Sequence, residues 1–227
     1  MTKQSKDLDT GLPEQLQKQE FEFVKVEPDS KKAATAWQNP YNRCLFNNAE
    51  IAAWRNHGYN IALYVDNPLV VLDIDGADVY DEIAEYLPET FTVESQSRDG
   101  YHLYYESYVD LQAVRGNPKI SLPDGDVEVR IPGKHLIQVP PSEVEGRQYR
   151  VHQDEDINTL DFPRPHLYAK DTAKRDDPLK KAVKKAYGEG HATSIFDDKK
   201  DRKKVERTRD VNHFTNTEVE DKRIENV

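Results

Sequence analysis

The segment Leu69-Val70-Val71-Leu72-Asp73-Ile74-Asp75 constrains this chain more than any other. Four consecutive apolar residues read as a strand buried on both faces, since a strand with one wet face would alternate. Side chains two apart on a strand point the same way, so Asp73 and Asp75 share one face while Ile74 takes the other. Two carboxylates on one face repel unless a proton or a cation lies between them. Oxygen donors at that reach suit magnesium or manganese. The same pair can also be an acidic rim that holds no metal.

The run Val127-Glu128-Val129-Arg130 is strand-like as well and puts Asp126, Glu128 and Arg130 on one side. A two-metal site needs ligands from more than one strand to hold ions about 3.5 to 4 Å apart. Asp73, Asp75 and Glu128 can form one, with Asp126 as a fallback. Arg130 can serve a phosphate or simply neutralise Glu128. His102 opens the run HLYY after the turn-like RDGY, where its imidazole N–H can donate to a phosphate or be structural. Ser97 and Arg98 add phosphate donors just before that turn, and Gly100 reads as a backbone requirement of the turn itself. Pro140 and Pro141 impose an extended path on Ser142, whose hydroxyl can reach a phosphate or lie in a plain surface turn. Trp37 and Tyr101 are candidates for stacking on a base or for walls of the core.

The remaining pattern predicts a mixed fold. Phe21 and Phe23 share one side of a first strand, with Val24 and Val26 on the other. Asn47 followed by Glu50 resembles a capping box for a helix over 48–56, which Gly58 ends. Strands are expected at 60–65, 69–74, 91–96, 102–106, 127–131 and 135–139, the last two flanking a turn at Pro132 and Gly133. Asp78 is expected to cap a helix reaching Leu87, with Val79, Ile83, Tyr86 and Leu87 as its apolar side. Asp177, Pro178 and Gly188 delimit a helix over 178–187. These elements make an α+β sheet with hairpins rather than a doubly wound one. The expected organisation is a polar segment at 1–20, a folded domain at 21–169 and a charged tail at 170–227. The tail carries 16 Lys and Arg against 13 Asp and Glu, although the whole chain has a net charge of -10. Its mixed run DDKKDRKKVERTRD reads as a solvated segment or as a DNA- or helicase-contacting tail.

A net charge of -10 argues against wrapping nucleic acid by bulk electrostatics, while leaving room for a local basic channel or a metal-mediated contact. The single cysteine, Cys44, excludes a disulfide framework and a cysteine zinc cluster. No stretch approaches the roughly 20 apolar residues of a membrane span, and the start lacks the apolar segment of a secretory signal. A cytoplasmic protein is the expectation.

In order along the chain, Lys32 to Trp37, NIALYV, VVLDIDG, LPETFTV, the turn into HLYY, VEVR, and VPPS with Gly146 and Tyr149 form a set. The set resembles the N-terminal primase-polymerase domain of archaeal plasmid, viral and phage replication proteins, in the archaeo-eukaryotic primase superfamily, over 21–149. The resemblance implies a small N-terminal αβ unit joined to an RRM-like unit, with a cleft between them. It further implies that Asp73, Asp75 and Glu128 are catalytic metal ligands for Mg2+ or Mn2+, that His102 contacts nucleotide phosphate, and that Ser97 and Arg130 lie near the nucleotide. The implied activity is template-directed synthesis or extension of a primer from nucleoside triphosphates on single-stranded DNA. Departures are Arg98-Asp99-Gly100-Tyr101, where the family is glycine-rich and Asp99 adds a negative charge, and Ile131 to His135. The zinc module of some relatives is absent, and with no P-loop a helicase would be a separate partner. A weakened DNA- or nucleotide-binding module and a metal-dependent nuclease are the alternatives.

Overall fold

The computed structural model describes residues 9–95, 99–108, 111, 118–160, 162 and 178–188. In chain order the strands and helices are β1 Glu22–Val26, β2 Arg43–Leu45, α1 Ala49–Asn56, β3 Asn60–Tyr64, β4 Leu69–Asp75 and α2 Ala77–Ala84. Then come β5 Thr92–Ser95, β6 Gly100–Glu106, β7 Lys119–Leu122, β8 Gly125–Arg130 and β9 Leu136–Gln138. Four short strands follow, β10 Glu143–Val144, β11 Arg147–Gln148, β12 Arg150–Gln153 and β13 Asn158–Thr159, and α3 Pro178–Tyr187 comes last.

β4 lies inside the larger sheet, whose order is β12-β5-β6-β4-β8-β7, with β13 parallel to β6 and every other pair antiparallel. Its apolar residues are fully buried on both faces, as a continuous apolar run requires. Val70, Leu72 and Ile74 pack under α2 and α3, against Val79, Ile83 and Leu179. Leu69 and Val71 face the smaller sheet β2-β1-β3-β9, meeting Phe23, Ile61 and Leu63. The result is an α+β fold in three layers, with the larger sheet in the middle. Each fully buried aliphatic or aromatic side chain here contributes about 1.5 to 3 kcal/mol.

Several expectations shift. Asn48, not Asn47, caps α1, its side chain accepting from the Glu50 N–H. α2 starts at Ala77 and not beyond Asp78, because Gly76 adopts φ 111°, a conformation side chains rarely take, and turns the chain directly out of β4. Tyr86, beyond the end of α2, is among the exposed aromatics instead of sharing the buried side with Val79 and Ile83. β8 and β9 do not form a hairpin; the turn at Gly133 carries the chain from one sheet to the other, its N–H donating to Val65 O at 2.8 Å. β7 was not expected at all. α3 covers 178–187 and buries Leu179, Ala182 and Val183 in the same apolar cluster as α2. The charged run from 197 onward lies outside the described residues.

Candidate active site

The face of β4 that carries Leu69 and Val71 into the core carries Asp73 and Asp75 beyond it, where the smaller sheet no longer covers the larger. There a cavity of about 530 Å³ opens. Its floor is Asp73, Asp75, His102 and Arg130; the facing wall comes from Asp29 to Lys31 after β1 and from Val144 and Glu145 in the β10–β11 hairpin. The two parts of that wall are tied together, since the Glu145 N–H donates to the Asp29 carboxylate. Both residues adopt left-handed backbone, at φ 54° and 49°.

Strand register assembles the floor. His102 and Glu128 are the direct partners of Asp73 on its two sides. Val93 pairs with His102 and Lys119 with Glu128, so one transverse row reads Val93, His102, Asp73, Glu128, Lys119. The row nearer the mouth pairs Asp75 with Asp126, and the row behind pairs Val71 with Tyr104 and Arg130. Directly opposed residues on one sheet face have Cβ atoms about 4.5 to 5.5 Å apart. Asp73, Asp75, Glu128, His102 and Arg130 thus lie on one face of neighbouring strands.

Arg130 organises their charges. Its Nε and Nη2 donate to Asp73 Oδ2 at 3.0 and 2.5 Å, and its Nη1 reaches Glu128 Oε2 at 2.9 Å. His102 Nε2 stands 3.4 Å from Asp73 Oδ1, which makes Nε2 the protonated ring nitrogen facing the carboxylate. Burial by itself would raise the Asp73 carboxyl, but His102 and Arg130 outweigh it and hold the group well below the usual carboxylate range. Lys119 extends the network from the edge strand, its Nζ 2.7 Å from Asp126 Oδ2 and 3.7 Å from Glu128 Oε1. His135, buried nearby, is pushed down to about 4 by burial and by the positive charges of Arg130 and Lys134, and so is neutral at pH 7.

Asp73, Glu128 and Asp75 are oxygen donors on one face of adjoining strands, which fits a hard divalent cation in kind. As they stand, the guanidinium of Arg130 fills the position between Asp73 and Glu128. Among the described residues no three His, Cys, Asp or Glu side chains converge on one point closely enough to hold an ion.

Other candidates go elsewhere. Ser97 and Arg98 lie outside the described residues. Tyr101 points to the opposite face from His102, stacked on Tyr80 with ring centroids 4.0 Å apart and edge-on to His152. Trp37 packs against Tyr64 on the outer side of the smaller sheet, and its carbonyl accepts from Arg43 Nε. The buried Ser142 hydroxyl donates to Ile61 O at 2.8 Å and accepts from the Ile61 N–H at 2.9 Å, which ties the chain after β9 to β3. Gly100 has an ordinary backbone, and it is Asp99 that turns left-handed, at φ 54°. Gly100 is required because a Cβ there would lie 2.6 Å from Ile74 O. Lys31, Lys119 and Asp29 were not singled out by sequence. Lys119 was discoverable from the alternation Lys119-Ile120-Ser121-Leu122 between two prolines.

An α+β fold whose antiparallel sheet lays carboxylates, an imidazole and a guanidinium along one open face is of the archaeo-eukaryotic primase kind. Residues 14–165 match the family described as bifunctional DNA primase/polymerase, N-terminal, and the chain belongs to that family. No individually curated protein matches it. Membership points to a nucleotidyl-transfer type of function in replication and to nucleic acid and nucleotide as partners. No helix among the described residues is long and apolar enough to cross a membrane.

Proposed function

We propose that the cleft carries out template-directed nucleotidyl transfer, extending or starting a primer from nucleoside triphosphates on single-stranded DNA during plasmid or viral DNA replication. The observation that carries this reading is that Asp73, Asp75 and His102 line one cavity, with Glu128 paired beside Asp73 on the next strand, in a chain of this family. Asp73, Asp75 and Glu128 would hold Mg2+ or Mn2+, which would supply activation of a primer 3' hydroxyl and charge stabilisation of the pyrophosphate that it displaces. His102, whose Nε2 faces Asp73 in this arrangement, would contact nucleotide phosphate from the cavity floor once an ion engages that carboxylate. Arg130 and Lys31 supply positive charge to phosphate oxygens, a task for which the planar guanidinium is well shaped. The loop at Asp29 and the hairpin at Glu145 narrow the opening and limit water around the reacting groups. Ser97 and Arg98 would add phosphate contacts, whereas Trp37, Tyr101 and Ser142 act in packing. The cytoplasm is the setting that fits, with a separate helicase to open the template.

A second reading, a DNA- or nucleotide-binding module without catalysis, is favoured by one observation. Arg130 and Lys119 already neutralise the acids that would hold the ions. An end-labelled primer on a single-stranded template, incubated with nucleoside triphosphates and either ion, decides among the readings. Lengthened primer supports nucleotidyl transfer and shortened primer means a nuclease. Unchanged primer that is nonetheless bound means the binding module.

A further inference from the structure

The carboxylate row contains its own countercharge, and that shapes how a metal can enter it. Asp73 accepts two hydrogen bonds from Arg130, and Glu128 pairs with the third nitrogen of the same guanidinium. Arg130 is therefore a bridge between two groups that a divalent ion would also have to bridge. The carboxylates are mostly buried, with 15% of the Asp73 side chain and 22% of the Glu128 side chain exposed. Two charges of one sign this close in such surroundings need a proton or a cation between them, and here the cation is Arg130. A guanidinium and a divalent ion cannot occupy that place together, because each would repel the other at short range.

We propose that Arg130 is an exchangeable resident cation, which leaves the Asp73–Glu128 bridge when a divalent ion binds and turns toward the phosphates of the nucleotide. This rests on the reading of the cleft as a metal-dependent nucleotidyl-transfer site. About a quarter of the Arg130 side chain is exposed and it already lines the cavity, so its head can swing without unpacking the core. Lys119 stays with Asp126 on the edge strand and keeps the outer acids compensated. Ion and nucleotide then bind cooperatively: the ion sets the guanidinium free, and the triphosphate gives it a new anionic partner. Without a divalent ion, Arg130 keeps the acids paired and the fold stable, and the cleft holds nucleotide weakly.

The test reads Arg130 and the ion directly. In the native chain, Mg2+ titration followed by the Nε–H resonance of Arg130 is expected to shift that signal in step with the backbone amides of Asp73 and Asp75. A second measurement compares Mn2+ affinity, from the electron spin resonance of free Mn2+, in the native chain, Arg130→Gln and Arg130→Lys, each shown folded by its circular dichroism. Arg130→Gln should bind Mn2+ about tenfold tighter or more, because the ion no longer competes with the guanidinium. Arg130→Lys should fall between, a single ammonium being a poorer bridge. If the amides shift while the Arg130 signal stays in place, or Arg130→Gln binds Mn2+ no tighter than the native chain, the exchange is wrong though the metal site and nucleotidyl transfer stand. If no chain binds either ion and no primer is extended, the reading of the site falls and the exchange with it.

Discussion

Replacing Gly125 with alanine tests how tightly the backbone beneath the carboxylates is built. A Cβ at Gly125 would lie 1.8 Å from Asp75 O and 3.1 Å from a Val79 methyl. The first of these is backbone of a central strand, so the new atom cannot be accommodated by a side chain moving aside. β8 must move more than 1 Å away from β4 to restore an ordinary contact, and the Asp75–Asp126 pairing lies at that point of the ladder. Overpacking costs about 1 to 3 kcal/mol, and a lost ladder hydrogen bond adds about 1, so a destabilisation near 3 kcal/mol is expected. For a domain of this size that is a fall of roughly 6 to 12 °C in Tm. Gly58→Ala is the comparator: it has a left-handed backbone, φ 77°, but nothing within 4 Å of the added atom. Its expected loss is about 1 to 2 kcal/mol. Thermal unfolding followed by circular dichroism measures both. A Gly125→Ala chain as stable as Gly58→Ala would refute the close approach of β8 to β4 on which the site's geometry depends.

Three further outcomes follow from the same structure. Ser142→Ala should cost about 1 to 3 kcal/mol in urea unfolding, by leaving buried backbone groups of Ile61 less satisfied, with no change in nucleotide KM. Tyr101→Ala should lower Tm by removing the stack on Tyr80 while leaving nucleotide KM in primer extension unchanged, since the ring lies on the face away from the cavity. His135 contributes stability that is fully present above its usual 6.5 and is lost as pH falls from there through about 4, because the unfolded chain binds the proton more readily. The loss amounts to up to about 3 kcal/mol, and His135→Gln should flatten unfolding free energy across that window; the contribution of Asp73 fades only at lower pH, below its usual 3.8.

Much of the site was legible because strand parity is local. The apolar run to Leu72 announced a buried strand, and the two-residue period then put Asp73 and Asp75 on one side of their strand and Glu128 and Arg130 on one side of theirs. The ends of α3 were legible for a similar reason, Pro178 and Gly188 being start and stop signals around residues spaced for one helical face. Register was not legible. Nothing near Asp73 in sequence says that His102 and Glu128 flank it, since pairing is settled by long-range packing of the strands. The four-residue β7, and Lys119 with it, left only a short signal, the alternation between Pro118 and Pro123. Parity did contain one unused constraint: if His102 faces the cavity, its neighbour Tyr101 cannot. The bridge by Arg130 depends on side-chain reach across two strands, which sequence patterning does not describe.

The central claim is that the carboxylates on this face drive nucleotide addition. The direct measurement is incorporation of labelled nucleoside triphosphate on primed and unprimed single-stranded DNA, in Mg2+ and in Mn2+, by the native chain and by an Asp73→Asn/Asp75→Asn variant of matched DNA affinity. The account predicts incorporation by the native chain and its loss, by at least about a hundredfold, in the variant. Equal incorporation by both chains, or none by a native chain that still binds DNA, would contradict it.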